Sequence, residues 1–150
     1  MLTIRTLQQQ DLPALIQIER EAHAAAHWKE SLYETLLASE ATPLRITLVA
    51  EDDGQPVGFI VGKAVGAEWE IENVVVRASS QREGIGGQLL SRFLEEARNR
   101  GARQVLLEVR SRNATAKSLY AKCGFSVVGG RMDYYHDPSD DALLYKLDLA

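Results

Sequence analysis

The sequence lacks the features of a secreted, membrane-embedded or nucleic-acid-binding protein. Its single cysteine, Cys123, excludes an intramolecular disulfide and favours a reducing compartment. No apolar run approaches the length that spans a bilayer, and no cationic and apolar leader opens the chain. A net charge of −4 is the opposite of the basic excess that a nucleic-acid surface needs. These absences predict a cytoplasmic protein that binds neither membrane nor nucleic acid.

Metal-binding side chains are also sparse. The three histidines, His23, His27 and His136, are too scattered to suggest a metal site, and none is predicted. The chain has 150 residues, of which 45% are hydrophobic and 25% are charged, and it contains no repeat or linker. This length and composition predict one domain over residues 1–150, with a sizeable core that needs no disulfide.

The hydrophobic pattern predicts a mixed α/β sheet with flanking helices, in the order β-α-α-β-β-β-α-β-α-β-β. Asp11 and Asn113 are the predicted N-caps of the first and last helices. The predicted strands are Leu2–Leu7, Arg45–Glu51, Val57–Val65, Trp69–Arg77, Gln104–Arg110, Phe125–Val128 and Ala142–Leu149. The later predicted helices are Lys29–Ser39, Gln88–Asn99 and Ala114–Lys122, and the joint before the first of these, Ala22–Trp28, is irregular.

A glycine-bearing segment, Gln81-Arg82-Glu83-Gly84-Ile85-Gly86-Gly87, connects an apolar strand to a predicted helix. The first turn of a helix has unpaired N–H groups, and the helix dipole favours negative charge there. Gly84 and Gly86 would let the backbone approach a phosphate, and Arg82 adds a cationic donor. The segment therefore predicts a diphosphate cradle. A flexible turn before the helix is the alternative, because the spacing matches neither common nucleotide-binding glycine motif.

With this element order, the residues from Gln81 to Gly86 resemble the acetyl-CoA signature Gln/Arg-x-x-Gly-x-Gly/Ala of the GCN5-related N-acetyltransferase family. The resemblance covers the whole chain. Further along, it is carried by Leu107-Glu108-Val109-Arg110, Asn113, Ala116, Leu119-Tyr120 and Cys123-Gly124-Phe125. The ending resembles the branch of bacterial enzymes that acetylate the N-terminal alanine of a ribosomal protein, through Arg131-Met132-Asp133-Tyr134-Tyr135, Pro138 and Asp140-Asp141-Ala142.

The resemblance implies six to seven strands, a splay between the two central parallel strands, and acetyl-CoA as cosubstrate. It implies that the pantetheine pairs with the backbone of Val74, Val75 and Val76. It places the diphosphate on the amides of Arg82, Glu83, Gly84, Ile85, Gly86 and Gly87. Asn113 is implied to reach the cofactor, while a plain helix cap remains the alternative. Gly87 stands where the family often has Arg or Lys, which predicts weaker CoA binding.

Acetyl transfer to an amine needs a base for the amine and a proton for the departing thiolate. Glu108 faces away from the apolar residues of its strand, and the resemblance makes it the general base. A solvent-facing partner of Arg110 is the alternative reading. Glu70 and Glu72 share one face of the preceding strand by its period of two, and both are rival bases. Glu72 is also a candidate substrate contact.

The resemblance makes Tyr120 the general acid, against the alternative of an aromatic packing residue. Cys123 has no histidine near it in the sequence and is predicted to be a small buried residue rather than a nucleophile. Tyr134 and Tyr135 are predicted in the turn between the last two strands, where they would bind a peptide.

Three functions are consistent with these residues. The first is direct acetylation of a protein N-terminal α-amine in a ternary complex with acetyl-CoA. The second is acetylation of a small-molecule amine, and the third is a non-catalytic CoA-binding regulatory domain. The presence of both Glu108 and Tyr120 disfavours the third, and the paired tyrosines Tyr134 and Tyr135 favour the first.

Overall fold

The computed structural model describes residues 1–22, 30–37, 44–136 and 139–149. Their strands are β1 (Leu2–Thr6), β2 (Arg45–Asp52), β3 (Gln55–Val65), β4 (Glu68–Val76), β5 (Gln104–Arg110), β6 (Ser126–Tyr135) and β7 (Asp140–Asp148). Their helices are α1 (Leu12–Glu21), α2 (Glu30–Thr35), α3 (Ile85–Asn99) and α4 (Ala114–Lys122). The predicted element order is confirmed. The ends of the predicted helix Lys29–Ser39, most of the joint before it, and Pro138 lie outside the described residues.

The strands form one mixed sheet in the order β1-β2-β3-β4-β5-β7-β6. Only β4 and β5 run parallel, and α3 is the crossover between them. The helix α3 buries Leu89, Leu90 and Phe93 on one face of the sheet. On the other face, Leu15 and Ile18 of α1 pack in a second cluster. The central strands are covered on both faces, which is why β2 and β3 contain almost continuous apolar runs.

The strand β4 contains a β-bulge at the point where it leaves β5. Its register with β3 skips Glu72, since Val61 pairs with Asn73 and Gly62 pairs with Ile71. The bulge shifts the alternation of side chains along the strand. Ile71 packs in the cluster under α3, whereas Asn73 lies on the opposite face, towards α1.

The pairing of β4 with β5 stops at the same point. Parallel pairs run from Glu68–Gln104 to Ile71–Leu107 and go no further, although both strands continue. The implied splay of the two parallel strands is therefore present. We call the space between the last residues of β4 and β5 the gap.

Two boundaries differ from the prediction in ways that matter for the site. The helix α3 begins at Ile85 rather than Gln88, because the Ile85 side chain is buried in the core and anchors an extra turn. The strand β6 extends to Tyr135 rather than ending at Val128. It is an edge strand that is exposed along most of its length, so its sequence shows no alternation of buried and exposed residues.

The predicted cap of α1 is a smaller correction. Asp11 lies at the N-cap position, but its carboxylate makes no side-chain cap to α1. Its Oδ2 instead accepts from the backbone N–H of Gln8 at 2.7 Å, and both of its oxygens accept from Arg5 at 2.7 and 2.8 Å. The pKa of Asp11 is lowered, mainly by the Arg5 guanidinium.

Candidate active site

One side of the gap is formed by backbone groups of β4. The N–H of Arg77 donates to the carbonyl of Val57 on β3 at 2.7 Å. Because residues of an antiparallel strand alternate in the direction of their hydrogen bonds, Val75 also faces β3, while Val74 and Val76 face the gap. The Gln81 amide donates to the Val76 carbonyl at 3.3 Å, as this alternation requires. Backbone polar groups of the predicted triplet thus face an unpaired edge.

The predicted cradle follows directly after β4. Arg82 and Gly84 have left-handed backbone angles, with φ of 68° and 78°. Within the described part of the chain, no atom accepts a hydrogen bond from the backbone N–H groups of Arg82, Glu83 or Gly84, and no side chain caps α3. The first-turn N–H groups of Ile85, Gly86 and Gly87 have no partner within the helix either. Six successive amides are therefore available to an anion.

The three glycines of the cradle differ in their surroundings. A Cβ atom at Gly84 would meet no atom within 4 Å, so this position faces open space. Cβ atoms at Gly86 and Gly87 would lie 3.4 and 3.7 Å from the Leu119 side chain. These two glycines bring α4 close to α3, a packing role that the sequence did not reveal. The free amides and the open space at Gly84 fit a diphosphate.

The helix α4 completes this part of the site. The Asn113 side chain accepts from the Ala116 N–H at 3.1 Å, which confirms it as the N-cap of α4. Its implied contact with the cofactor stays a prediction. A groove of about 550 Å³ extends from Gly84 and Gly87 along α3 and α4 and includes the cationic side chains of Arg92 and Lys122.

Glu108 lies on the other side of the gap. It is the first residue of β5 beyond the last parallel pair, and its side chain is 23% exposed. It projects from the face opposite Leu107 and Val109, which are buried beneath α3. Its Oε1 lies 3.5 Å from Nη2 of Arg131 on β6. Arg110, the partner considered from the sequence, lies over the Tyr135 ring at 4.2 Å.

The two rival bases are placed differently. Glu70 belongs to the paired part of β4, opposite Leu106, and therefore precedes the gap. Glu72 is the bulge residue, and its two oxygens accept from Nε and Nη2 of Arg45 at 2.8 and 3.3 Å. Arg45 therefore occupies both carboxylate oxygens of Glu72. Glu108 remains the candidate base, because its contact with Arg131 is a longer ion pair of 3.5 Å.

Tyr120 lies beneath the same region. Its ring is 7% exposed and packs against the rings of Phe125 and Tyr145, with centroid distances of 5.7 and 6.0 Å. Burial raises the pKa of Tyr120 above its ordinary value, with smaller contributions from Tyr135 and Cys123. Within the described chain, its hydroxyl has no hydrogen-bond partner and is not fully enclosed. The ring thus packs in the core, and the hydroxyl keeps its capacity to donate a hydrogen bond to a bound group.

Tyr134 and Tyr135 end the strand β6, so their predicted position in a turn is wrong. Their rings meet edge to face at 5.1 Å. Tyr134 is 44% exposed and carries Arg131 over its ring at 5.2 Å. Tyr135 is partly buried, and its pKa is raised by burial and by the negative charge of Glu108. The pair therefore flanks the candidate base, with one ring packed and one presented to solvent.

Arg131 is a site residue that sequence reasoning missed. Its contact with Glu108 depends on how the edge strand β6 lies beside β7, and the pattern of β6 contains no signal for that register.

Cys123 is partly buried rather than fully buried, and burial raises the pKa of its thiol. In the described ranges, no group of three or more metal-binding side chains occurs. None of the helices described is long and apolar enough to span a membrane.

Comparisons with known proteins agree with this geometry. The model of the acetyltransferase (GNAT) family matches residues 8–125. The chain therefore belongs to the GNAT family and is an N-acetyltransferase. It is 32% identical to the [ribosomal protein bS18]-alanine N-acetyltransferase of Escherichia coli, over all of this chain and 99% of that protein.

Solved structures show the same fold. The structure of the Escherichia coli ribosomal-protein-S18-alanine N-acetyltransferase matches with a TM-score of 0.88 over 100% of this chain and 95% of that chain. Ard1 from Thermoplasma volcanium is 27% identical, with a TM-score of 0.88 over 99% and 98% of the two chains. A proposed acetyltransferase of Salmonella typhimurium, solved with its cofactor acetyl-CoA, is 22% identical, with a TM-score of 0.84 over 100% and 95%.

Proposed function

We propose that the protein transfers the acetyl group of acetyl-CoA directly to the α-amine of a protein N-terminus, of the ribosomal-protein-alanine type. The observation that carries this proposal is the gap. Backbone groups of Val74 and Val76 on β4 border it on one side, and Glu108, the first residue of β5 without a partner on β4, borders it on the other. This arrangement suits a substrate that lies between the strands with its reactive end beside a carboxylate.

The binding groups fit acetyl-CoA. Backbone groups of Val74 and Val76 would hold the pantetheine, whereas those of Val75, the middle residue of the predicted triplet, pair with β3. The amides of the cradle, residues 82–87, would hold the diphosphate. We assign a further contact with the cofactor to Asn113, the N-cap of α4. Acetyl-CoA supplies the acetyl group as a thioester. Gly87 adds no charge to this site, so its cations would be Arg82 in the cradle and Arg92 and Lys122 in the adjoining groove.

Glu108 is the proposed general base. A peptide α-amine has a pKa near 8, so neutralising it at pH 7 costs only about 1.4 kcal/mol. A carboxylate beside the gap is sufficient to accept this proton, directly or through a water molecule. The substrate ammonium would replace the Arg131 guanidinium as the cation beside Glu108, because the two are of like charge and Arg131 is more than half exposed.

Tyr120 is the proposed donor to the departing sulfur. Burial raises the pKa of Tyr120, so its hydroxyl stays protonated throughout the neutral range. The same shift makes it a weaker acid, so we expect it to act chiefly as a hydrogen-bond donor that stabilises negative charge on the sulfur.

Direct transfer in a ternary complex is supported by the position of the only thiol. Cys123 follows α4 and packs against the cluster under α3, with its side chain partly buried. Burial raises the pKa of Cys123, which disfavours its nucleophilic thiolate form. A route through an acetyl-cysteine intermediate is therefore disfavoured.

The acceptor is proposed to be a peptide because of Tyr134 and Tyr135. Their rings meet edge to face beside Glu108, and the exposed ring of Tyr134 offers an aromatic contact for an extended chain. The ribosomal-protein assignment rests on the 32% identity to the Escherichia coli enzyme. It implies action in the cytoplasm, with acetyl-CoA and a peptide rather than a membrane or nucleic acid as partners.

A panel of acceptors tests the proposal. Peptides that begin with alanine, serine, methionine or glycine, together with small amines and polyamines, are incubated with the protein and acetyl-CoA while thiol release is followed. We expect turnover with alanine-starting peptides. Turnover only with small amines would replace the peptide assignment with the second function considered from the sequence.

A further inference from the structure

A buried carboxylate links the helices α1 and α2, which lie on one face of the sheet, to the strand β4. Glu19 of α1 is 2% exposed. Its Oε1 accepts from the hydroxyl of Tyr33 on α2, and its Oε2 accepts from the side-chain amide of Asn73 on β4. Tyr33 and Asn73 are themselves 1% and 6% exposed. Among the described residues, donors from two different elements thus hold one buried carboxylate, which fixes the relative positions of those elements.

The β4 end of this network lies at the gap. Asn73 directly follows the bulge at Glu72, and its backbone pairs with Val61 of β3. The next residue, Val74, is the first whose backbone groups face the gap. Glu19 therefore holds the strand immediately before the groups assigned to the cofactor.

The helical end of the network lies beside the acceptor side. The side chains of α1 pack on the sheet face opposite α3, and Glu108 projects from that same face. An amine that reaches Glu108 must approach from this face. The α1–α2 layer and the two tyrosines at the end of β6, Tyr134 and Tyr135, would then border the bound amine.

We propose that Glu19 is a positioning residue for acetyl transfer. Glu19 accepts hydrogen bonds from both Tyr33 on α2 and Asn73 on β4. It thereby fixes the α1–α2 layer, which would border the acceptor, relative to β4, which would hold the thioester. The amine and the thioester then meet at a set distance. This inference rests on the proposed function. It assigns Glu19 no contact with either substrate.

The substitution Glu19→Gln tests the proposal. An amide keeps one accepting oxygen but presents a donor to either Tyr33 or Asn73, so one buried donor loses its partner. We expect kcat/KM for an alanine-starting peptide to fall about 30-fold, with a raised peptide KM, because small displacements of reacting groups are costly. The Kd of acetyl-CoA, measured by calorimetry, should stay within about twofold of the parental value.

A variant that exchanges the carboxylate of Glu19 and the amide of Asn73 separates the effect of the hydrogen bonds from that of the position of the charge. In Glu19→Gln/Asn73→Asp the carboxylate moves to β4, the new amide donates to it, and Tyr33 still finds an accepting oxygen. We expect kcat/KM to recover to within about fivefold of the parental value. A folded swap variant that binds acetyl-CoA but stays as slow as Glu19→Gln would overturn the proposal. Tyr33→Phe, which adds no buried donor, should raise the peptide KM by about threefold.

Asp11→Asn is the matched control for a merely structural effect. Asp11 is 3% exposed and accepts two or more hydrogen bonds, as Glu19 does, but it lies at the opposite end of α1. Both substitutions should lower the melting temperature. Only Glu19→Gln should change kcat/KM well below that temperature. Equal kcat/KM for the two variants would overturn the proposal.

The failures of the two proposals are distinguishable. If the parental protein acetylates no peptide, the proposed acceptor is wrong, and the same comparison of Glu19→Gln with Asp11→Asn is made with whichever small amine is acetylated. If the parental protein acetylates peptides and Glu19→Gln matches the parent, only the positioning role is wrong.

Discussion

The two strands that border the gap contribute different kinds of chemical group. On the β4 side, the groups that face the gap belong to the backbone of Val74 and Val76, and the cradle after it is also made of amides. On the β5 side, they are side chains, with Glu108 at the centre and Arg131, Tyr134 and Tyr135 around it. The β4 side is thus suited to binding through backbone groups, and the β5 side is suited to chemistry through side chains.

This difference predicts how each side responds to substitution. A backbone site depends on chain path, so most side-chain changes spare it and only changes in permitted φ and ψ disturb it. A side-chain site is lost with the side chain, although the fold survives. We therefore expect separable losses: cofactor affinity on the β4 side, and turnover or acceptor affinity on the β5 side.

The largest effect is expected from Glu108→Gln. Removing the proton acceptor should lower kcat at neutral pH by about 100-fold while acetyl-CoA still binds. Glu70→Gln is the matched control, because Glu70 is an acid on the neighbouring strand but precedes the gap. A larger loss of kcat for Glu70→Gln than for Glu108→Gln would move the base to β4.

The next effect is expected from Gly84→Val, which should raise the Kd of acetyl-CoA by about 30-fold in calorimetry. The change places a branched side chain at a left-handed residue in the open space of the cradle. Gly101→Val provides the control, since Gly101 has a φ of 83° and equally open surroundings at the far end of α3. If the two variants bind acetyl-CoA equally well, strain alone explains the loss and the cradle assignment fails.

A smaller effect is expected from Tyr134→Ala/Tyr135→Ala. Loss of both rings should raise the peptide KM by about tenfold, with little change in kcat, because the contacts form in both ground and transition states. A small amine cannot span from the gap to the end of β6, so its KM should change little. Equal changes in KM for peptide and small amine would show that the tyrosines support the fold rather than the peptide.

Tyr120→Phe should have the smallest effect, a fall in kcat of about fivefold, because a hydrogen-bond donor is lost while the ring still packs.

The same variant also tests the raised pKa of Tyr120. The folded-state pKa of Tyr120 lies above the unfolded value near 10, so its contribution to stability is complete below pH 10 and is lost as pH rises further. Tyr120→Phe should therefore reduce the fall in unfolding free energy above pH 10. An unchanged alkaline slope in chemical denaturation would contradict the shift.

The contrast between the two sides also explains what the sequence could predict. Helices and buried strands were predicted well because their apolar periods are strong, and Gln104–Arg110 and Ala114–Lys122 were predicted to the residue. The family signature indicated the cradle because backbone sites need glycine at set positions. The first turn of α3 was missed since Gly86 and Gly87 resemble a loop, although Ile85 anchors them in the helix.

The side-chain site was harder to predict. The candidates Glu108 and Tyr120 came from the family resemblance, since an acid in a strand and an aromatic in a helix have ordinary structural explanations. Arg131, Tyr134 and Tyr135 lie on the exposed edge strand β6, whose register irregularities leave no period to read. The Glu19 network joins residues that are 14 and 54 positions apart, and no local pattern reports such a contact.

The most direct test of the central claim is the site of acetylation on one peptide that has both a free α-amine and a lysine. The protein, acetyl-CoA and an alanine-starting peptide with an internal lysine are incubated at neutral pH, and the acetylated residue is located by fragment mass spectrometry. We expect acetylation at the α-amine alone, because its pKa near 8 suits a single carboxylate base far better than the lysine value near 10.4. Acetylation of the lysine with a free α-amine left unmodified would contradict it.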